Sequence, residues 1–440
     1  MRPLYLLVEE INRELLSRLL IARAAVALGH PVVIGQQWWL AANFAALPPG
    51  VALFKGNNRI QALFMQQARK AGHRTASIDE EAFVSSSVTE IAAQYHGLAE
   101  AHCDLFLTQG AFQHRAVCGR FPGATERIVI TGNPRADLLR DPRFRPHDPL
   151  VDRYRESLGP YVLMNTNFTT INPKLGDVYS YYQTCLRVGV LDDPEMPPFK
   201  RFMTWCNWER ENLKAMVSLL RRLSGRSDQR RIVLRPHPSE SAEIWTDELA
   251  GLPGVEVFTE GDHLAWIDRA DRLVHSGCST GLEAYLLGRR AISLTPGDRW
   301  WKTPALSNLV NPVATTVEAA EALLATDTDE ETTGRPDPAL ELGEYLLDEP
   351  GESPADRIAV RLSDLAERVE DRPRAPAATV TPAASSRMVA KAFVTLKEIR
   401  RRLGLVEAAT ARGEAPGVSE IGPSVFQIGG DAPLITATAS

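Results

Sequence analysis

Short apolar runs alternate with amphipathic stretches through the first 150 residues, and this alternation limits the folds open to the chain. "PLYLLVE", "HPVVIG" and "CDLFLTQG" have the length and composition of buried strands, whereas "INRELLSRLLIARAAVALG" has the spacing of a helix that ends at Gly29. Strands separated by helices pair in parallel, because each connecting helix crosses one face of the sheet. The sequence therefore predicts an α/β fold with a parallel sheet covered on both faces.

The alternation starts again with "YVLMNTNF" and continues through "RRIVLRPHP", "ADRLVHSGCST" and "RRAISLTPG". Two such units in tandem predict two Rossmann-like domains facing across a cleft, at residues 1–145 and 155–335. Ligands of open α/β sheets bind beyond the carboxyl ends of the strands, so we expect the site in that cleft.

The pattern changes after about residue 335. Residues 336–370 predict C-terminal helices, and residues 371–440 predict a linker, a basic amphipathic helix at 387–405 and a disordered tail. We expect the helix to pack on its own protein, with contact to an anionic membrane as the alternative. Its apolar stripe consists of Met388, Ala392, Leu396, Ile399 and Leu403.

Composition argues against several classes of protein, among them nucleic-acid-binding and membrane-spanning proteins. The formal net charge of −6 gives no general reason to bind nucleic acid, and no run of eighteen apolar residues predicts a membrane span. The N-terminus reads as a first strand and not as a secretory signal. Five scattered cysteines without metal-ligand spacing predict reduced thiols in a cytoplasmic protein, with no metal site and no cofactor.

The stretch "RIVLRPHPSE", residues 231–240, ends a strand at two prolines that enclose a histidine. Proline cannot donate to a sheet ladder, so the strand must stop there and the loop is held extended. Arg235, His237 and Pro238 then suit a phosphate, since arginine offers a planar fork and histidine donates or protonates. The alternative is a strand-end turn whose histidine bonds to the backbone.

Three adjacent carboxylates, Asp79, Glu80 and Glu81, follow the strand "HRTASI". Their mutual repulsion raises the pKa of at least one of them, which suits a general base toward an acceptor hydroxyl. A solvated loop that caps the next helix is the alternative.

The loop "HSGCSTGLEA" enters a helix through small and hydroxyl-bearing residues. A helix N-terminus carries free N–H groups and a partial positive charge, which together bind anions. Glu283 sits where it can accept from a ribose hydroxyl, and simple N-capping by Ser279 or Thr280 is the alternative. The candidate phosphate-binding residues of this loop are Ser276, Gly277, Ser279, Thr280 and Gly281.

Other strand ends carry polar residues as well. Asn165, Thr166 and Asn167 follow the first strand of the second unit and are candidates for binding the donor substrate of a transfer reaction. The candidates for the acceptor or for the interdomain hinge are Glu9, Arg13, Asn133 and Arg135. The chain has no P-loop and no GxGxxG sequence. A nucleoside monophosphate leaving group needs only one histidine, one arginine and one helix terminus to balance its charge.

The order of "VEE", "DEE", "GNPR", "NTNF", "RPHPSE" and "GCSTGLEA" resembles a bacterial family described as surface carbohydrate biosynthesis proteins, over roughly residues 1–310. It is also similar to GT-B enzymes that use CMP-activated acidic sugars, the sialyltransferases and Kdo transferases. Their acidic motif matches at Asp79 and Glu80, their HP motif at His237 and Pro238, and their hydroxyl pair at Ser279 and Thr280. The acidic motif of those enzymes has glycine at its third position, where this chain has Glu81. The identity of the base therefore stays open.

The resemblance implies a metal-independent glycosyltransferase that moves Kdo or a related nonulosonic acid from CMP to a surface polysaccharide or glycolipid. The N-terminal domain would then bind the acceptor and the C-terminal domain the nucleotide sugar. Three alternatives remain: a UDP-sugar 2-epimerase, a CDP-glycerol phosphotransferase, and a non-catalytic GT-B scaffold in an assembly complex.

Overall fold

The structure of the protein is a computed structural model, in which strands and helices alternate from the first residues of the chain. It describes residues 1–79, 85, 87–192, 195–225, 231–296, 305–326, 338–347, 351–371, 379–383, 389, 391, 393–410, 412, 415–430 and 434. The described chain divides into two compact units, the first formed by residues 1–82, 88–144 and 343–440, the second by residues 83–87 and 145–342.

The N-terminal part of the first unit contains six strands that pair in parallel. Its strands are β1 (Leu4–Val8), β2 (Val32–Gln36), β3 (Val51–Phe54), β4 (Arg74–Ile78), β5 (Leu105–Thr108) and β6 (Ile128–Ile130). Its helices are α1 (Ile11–Ala27), α2 (Gln37–Asn43), α3 (Arg59–Lys70), α4 (Val88–Gln94), α5 (Gly97–His102), α6 (Ala111–Arg120) and α7 (Pro134–Arg140).

The second unit contains a fully parallel six-stranded sheet. Its strands are β7 (Tyr161–Asn165), β8 (Arg231–Arg235), β9 (Val255–Val257), β10 (Arg272–His275), β11 (Ala291–Leu294) and β12 (Val313–Ala314). The helices in this part of the chain are α8 (Pro149–Leu158), α9 (Val178–Val188), α10 (Pro198–Leu223), α11 (Ala242–Glu248), α12 (His263–Arg269), α13 (Ser279–Leu286), α14 (Ser307–Val310), α15 (Val317–Ala325) and α16 (Pro338–Tyr345).

The strand order of the second sheet is β12-β11-β10-β7-β8-β9. The chain therefore builds outward from β7 to β9, returns to the other side of β7 at β10, and continues outward to β12. This is the 3-2-1-4-5-6 order of dinucleotide-binding folds, in which the reversal of direction opens a crevice at the carboxyl ends of the two central strands. That switch point lies between β7 and β10.

The C-terminal segment returns to the first unit. Helix α17 (Pro354–Ala366) packs on α1, and helix α18 (Leu396–Thr410) packs on α1 as well. Strands β13 (Val418–Gly422) and β14 (Val425–Ile428) form a hairpin, and β14 pairs antiparallel with β2. The first sheet thus has eight strands in the order β13-β14-β2-β1-β3-β4-β5-β6.

The prediction of a disordered tail is wrong for residues 415–430. The β14 side chains Val425, Phe426 and Ile428 are fully buried, because the edge of β2 offers backbone partners and the sheet offers apolar surface. These residues lack periodicity by themselves because they complete the sheet by pairing with β2, which lies near the other end of the chain.

Helix α18 overlaps the predicted helix at 387–405 but begins at Leu396 and ends at Thr410. Its residues Ile399, Leu403 and Val406 are buried in the core formed by β1, β2 and α1. The described residues of the apolar stripe, Leu396, Ile399 and Leu403, therefore pack on the protein itself, as expected. Met388 and Ala392 lie outside the described residues.

Candidate functional site

The carboxyl ends of β7, β8 and β10 lie side by side, and each carries the polar loop that the sequence analysis selected. Asn165 pairs in register with Arg235, and Met164 pairs with Val274, the residue before His275. The loops that follow these strands therefore leave the same edge of one sheet. Asn165 and Thr166 are buried, and Asn167 is half-buried.

His237 is exposed at this edge, as are the neighbouring Pro238 and Ser239. The backbone N–H of Ser239 donates to His237 Nδ1 at 3.2 Å, and Thr169 Oγ1 lies 3.4 Å from the same nitrogen. Because Nδ1 accepts, the neutral ring carries its proton on Nε2. The N–H donor of the ring is therefore at Nε2.

Arg235 forms hydrogen bonds with the loop before α12. Its two terminal guanidinium nitrogens donate to the carbonyl oxygens of Glu260 and Gly261, the second at 3.0 Å, and the guanidinium lies over the Trp266 ring at 5.4 Å from the centroid. Burial lowers the pKa of Arg235 to about 10. The phosphate role expected for Arg235 stays a prediction, and these contacts engage the nitrogens that it would use.

Glu240 connects the loops after β7 and β8 and was not selected from the sequence. Its buried carboxylate accepts from Thr166 Oγ1 at 2.8 Å, from the Phe168 N–H at 2.8 Å and from Trp245 Nε1 at 3.0 Å. The His237 N–H lies 3.4 Å from the same carboxylate. Burial raises the pKa of Glu240, against these hydrogen bonds, which favour its ionised form.

Glu209 of α10 fixes the next part of the β7 loop. It accepts from the Thr170 hydroxyl at 2.6 Å, from the Thr170 N–H at 3.0 Å and from the Ile171 N–H at 3.3 Å. Burial raises the pKa of Glu209 to about 8, and the charge of Glu240 adds to the rise. Two buried carboxyl groups thus hold residues 166–171 in one conformation.

The loop after β10 turns back onto His275. The backbone N–H groups of Gly277 and Cys278 donate to His275 Nδ1 at 3.1 Å and 3.4 Å. Gly277 has φ +69°, a conformation that favours glycine. Helix α13 then starts with Cys278 at the N-cap and no side-chain hydrogen bond to the cap. The alternative of N-capping by Ser279 or Thr280 is therefore wrong.

Ser276 and Gly281 are buried, whereas Ser279 and Thr280 are half-buried at the start of α13. Glu283 points back from the first turns of α13 and is only 1% exposed. Its carboxylate lies 3.4 Å from Nε2 of the more exposed His263 of α12. The ribose contact predicted for Glu283 stays a prediction.

Polar residues also lie at the strand ends of the first sheet. Asp79 is 3% exposed after β4, whereas Glu80 and Glu81 lie outside the described residues. Burial raises the pKa of Tyr95, and the charge of Asp79 and a hydrogen bond between Asp79 and Tyr95 raise it further. The Tyr95 hydroxyl in turn accepts from Gln113 Nε2 at 3.0 Å. Asp79 is therefore held within a buried network.

Glu9 and Lys55 follow the two central strands of the first sheet, β1 and β3. Lys55 Nζ lies 2.6 Å from Glu9 Oε2, and both side chains are buried. Lys391 Nζ lies 3.6 Å from the other carboxylate oxygen. The residue Lys55, which the sequence analysis did not select, therefore occupies the switch point of this sheet.

The remaining candidates in the first unit are Arg13, Asn133 and Arg135, and both Arg13 and Asn133 contact other residues of that unit. Arg13 lies 3.7 Å from the buried Glu14. Asn133 caps α7 by accepting from the Arg135 N–H at 2.9 Å, and it donates to Gln109 Oε1 at 3.1 Å. Arg135 itself is buried. Their acceptor or interdomain roles stay predictions.

Within the described part of the chain, no group of three or more His, Cys, Asp or Glu side chains is arranged to hold a metal ion. No helix of that same part has both the length and the apolar character needed to cross a membrane.

No protein-family model matches the chain, and no curated protein sequence matches it either. Solved structures do match. The S. aureus MnaA–UDP co-structure is similar with a TM-score of 0.51 and 12% identity, over 85% of this chain and 99% of that chain. The UDP-GlcNAc 2-epimerase from Methanocaldococcus jannaschii gives a TM-score of 0.52 and 13% identity, over 83% of this chain and 100% of that chain.

The chain has the GT-B fold. The expected architecture of two Rossmann-like domains is thereby confirmed. At identities this low the similarity concerns the fold, and the site must be argued from its own residues.

The residues that the sequence analysis missed share one property. Glu209, Glu240 and Lys55 are buried ionisable side chains whose partners lie far away in the sequence, for example Thr170 for Glu209 and Thr166 for Glu240. For Glu240 a local signal exists, since it directly follows the "RPHPS" sequence, but its partners become visible only in three dimensions.

Proposed function

We propose that the protein is an enzyme acting on a nucleotide-activated sugar, with the nucleotide bound at the switch point of the second sheet. One observation carries the proposal: the β7, β8 and β10 loops, with His237 and the start of α13, leave the same edge of a sheet that has the dinucleotide-binding strand order. In sheets of this order, ligands bind at the carboxyl edge beside the reversal of strand direction.

The proposed chemistry is cleavage of the bond between the anomeric carbon and the phosphate. Negative charge accumulates on the departing phosphate in the transition state, and donors fixed in advance stabilise it there more than in the ground state. His237 supplies an N–H from Nε2, and the first turn of α13 supplies its partial positive charge beside Ser279 and Thr280. Glu240 and Glu209 hold the β7 loop in place, so these donors need little reorganisation.

A UDP-sugar is the first candidate substrate. One structure similar in fold is a co-structure with UDP, and another is a UDP-GlcNAc 2-epimerase, which supports UDP-GlcNAc as the first compound to test. Epimerisation at carbon 2 needs one group that removes a proton and another that returns it. Asp79, fixed by Tyr95, is our candidate for one of these groups.

Transfer of an acidic sugar from CMP is the second candidate. It is favoured by the match of His237, Pro238, Ser279 and Thr280 to the motifs of CMP-sugar transferases. In this reaction Asp79 would take the proton of the acceptor hydroxyl, and the acceptor would be a surface glycan or glycolipid at the cytoplasmic side of the membrane. Both candidates place the nucleotide at the same strand ends, and both work without a metal ion.

One experiment separates the candidates. The purified full chain is incubated in parallel with UDP-GlcNAc, CMP-Kdo, CMP-sialic acid and CDP-glycerol, and the products are followed by NMR. A new carbon-2 epimer identifies a UDP-sugar epimerase, release of CMP from CMP-Kdo or CMP-sialic acid identifies an enzyme of CMP-activated acidic sugars, and release of CMP from CDP-glycerol identifies a glycerol phosphotransferase. If no compound is turned over and calorimetry detects no binding of UDP or CMP, the enzyme proposal is wrong and a scaffold role takes its place.

A further inference from the structure

His275 is fully buried at the end of β10, directly beneath the loop that opens α13. Its Nδ1 accepts from two successive backbone N–H groups, those of Gly277 and Cys278. Its Nε2 has no hydrogen-bond partner among the described residues and is directed at Gly281. One ring therefore touches both the loop and the first turn of the helix.

The contact with Gly281 is tight. A Cβ atom at residue 281 would lie 2.1 Å from Nε2, 2.5 Å from Cε1 and 2.8 Å from Cδ2 of His275. No side chain fits there unless the ring moves. Because Gly281 has ordinary helical geometry, the requirement for glycine comes from the imidazole and not from backbone conformation. The sequence pair His275 and Gly281 is thus one structural unit.

The inward hydrogen bonds determine which residues the loop exposes. His275, Ser276, Gly277 and Cys278 are buried, whereas Ser279 and Thr280, which follow at once, are half-buried. With two amides tied to the ring, Ser279 and Thr280 are the loop residues that keep accessible surface at the start of α13. A phosphate would meet the helix N-terminus at these residues.

We propose that His275 is a positioning residue, which holds the loop from Ser276 to Thr280 in the conformation that binds the phosphate of the nucleotide. The inference rests on the proposed function, because it concerns the same phosphate. His275 does not touch the substrate, and it acts as a neutral acceptor beneath the loop.

Burial keeps the ring neutral. It lowers the pKa of His275 to about 3, so Nδ1 remains an acceptor at every pH at which an enzyme of this kind would be assayed. A protonated ring would carry a hydrogen on Nδ1 and would lose both amide hydrogen bonds.

Two substitutions separate the acceptor from the bulk of the ring. His275→Asn keeps an oxygen near the Nδ1 position and removes Cε1 and Nε2, whereas His275→Leu fills the space and offers no acceptor. We expect His275→Leu to raise the Kd for UDP or CMP about tenfold or more, since two buried amides lose their partner. We expect His275→Asn to stay close to wild type in calorimetry with the same nucleotides.

The contact itself is tested by a double variant. Gly281→Ala should weaken nucleotide binding because its methyl group meets the ring, and His275→Asn should restore binding in the Gly281→Ala background by removing the two nearest ring atoms. Rescue would show that the two residues act through their contact, because the effects of substitutions at sites that do not touch normally add.

His73 provides the matched control. It is a buried histidine of the first unit whose Nδ1 accepts from the Gly50 N–H at 3.3 Å. His73→Leu should therefore lower stability without changing the Kd for the nucleotide. An equal loss of affinity in His73→Leu would assign the effect of His275→Leu to general destabilisation and would overturn the proposal.

Hydrogen exchange distinguishes failure of this inference from failure of the proposed function. The amides of Gly277 and Cys278 should be protected in the wild type and in His275→Asn, and should exchange faster in His275→Leu. Unchanged protection in His275→Leu overturns the positioning role, whatever the ligand is. If the amides of Gly277 and Cys278 exchange as expected in these variants but the wild type binds neither UDP nor CMP, the proposed phosphate site is wrong instead.

Discussion

The carboxylate of Glu240 accepts a 2.8 Å hydrogen bond from the hydroxyl of Thr166, and neither residue is more than 3% exposed. Thr166 follows β7, and Glu240 follows the proline-flanked His237 after β8. A single buried contact therefore joins the loops of two adjacent strands at the edge where we propose that the nucleotide binds. The loop after β7 is placed by tertiary contacts and not by its own sequence.

We expect Glu240→Leu to lower the free energy of unfolding by about 3 kcal/mol, because it leaves the donors on Thr166, Phe168 and Trp245 buried without an acceptor. Glu240→Gln keeps one acceptor oxygen and should cost less. Urea unfolding measures both. The exposed Glu243 is the control, and Glu243→Leu should stay within about 0.5 kcal/mol of wild type. Equal losses in the two leucine variants would show that Glu240 does not organise the loop.

Glu209 should make stability fall as the pH rises. Its pKa is raised from 4.5 to about 8 in the folded protein, chiefly by burial, so the folded state holds a proton that the unfolded state has released. The stability from this proton is fully present below about pH 4.5 and is lost as the pH passes about 8. Glu209→Gln removes the titration and keeps an acceptor for Thr170.

The test is urea unfolding of both proteins from pH 5 to pH 9. The difference in unfolding free energy, wild type minus Glu209→Gln, should decrease with pH by an amount on the order of 4 kcal/mol. A difference that stays constant over this range would mean that the hydrogen bonds from residues 170 and 171 outweigh burial and keep Glu209 ionised.

His237→Ala should reduce kcat about a hundredfold or more with whichever substrate the turnover assay identifies, since it removes the N–H proposed to stabilise the departing phosphate. His237 is exposed, so the melting temperature should change little. His147 is a suitable control, because its side chain is 66% exposed and pairs with Asp152. Wild-type turnover in His237→Ala would exclude the phosphate role.

Chelation should leave the activity unchanged. The proposed charge stabilisation uses an imidazole N–H and a helix terminus and involves no metal ion. Turnover is measured with and without an excess of EDTA. A loss of activity that added Mg²⁺ restores would contradict the metal-independent reaction.

Phe426→Ala should destabilise the first unit by about 4 kcal/mol, because this fully buried β14 side chain lies in the core formed with β1, β2 and α1. Phe393 supplies the control, since it is 57% exposed and Phe393→Ala should have little effect. Thermal unfolding of the two variants compares them directly. Identical melting temperatures would mean that the C-terminal hairpin contributes nothing to this domain.

Much of the site scaffold could be predicted because strand ends have local signals. The apolar run of β8 stops at Arg235 because proline follows, and β10 stops at His275 where glycine and small residues begin. Parallel pairing then brings such ends to one edge of the sheet without any further information from the sequence. The roles assigned to the residues there remain predictions.

Other features had no local signal. The Arg235 guanidinium was expected to face a phosphate, but its partners are carbonyl groups some 25 residues later in the chain. The tail at residues 415–430 has too little apolar periodicity to predict strands, and it becomes ordered because β2 has an open edge. In both cases the decisive partner is remote in sequence.

The α/β class, the two Rossmann-like domains and the strand ends that carry polar loops follow from local sequence patterns, because alternation and proline or glycine breaks act over a few residues. The side chains that hold those loops could be identified only in the folded chain, since Glu240, Glu209 and His275 act through burial and through hydrogen bonds to groups that folding brings next to them. Burial and hydrogen-bond geometry depend on the whole packed domain, and no short stretch of sequence encodes them.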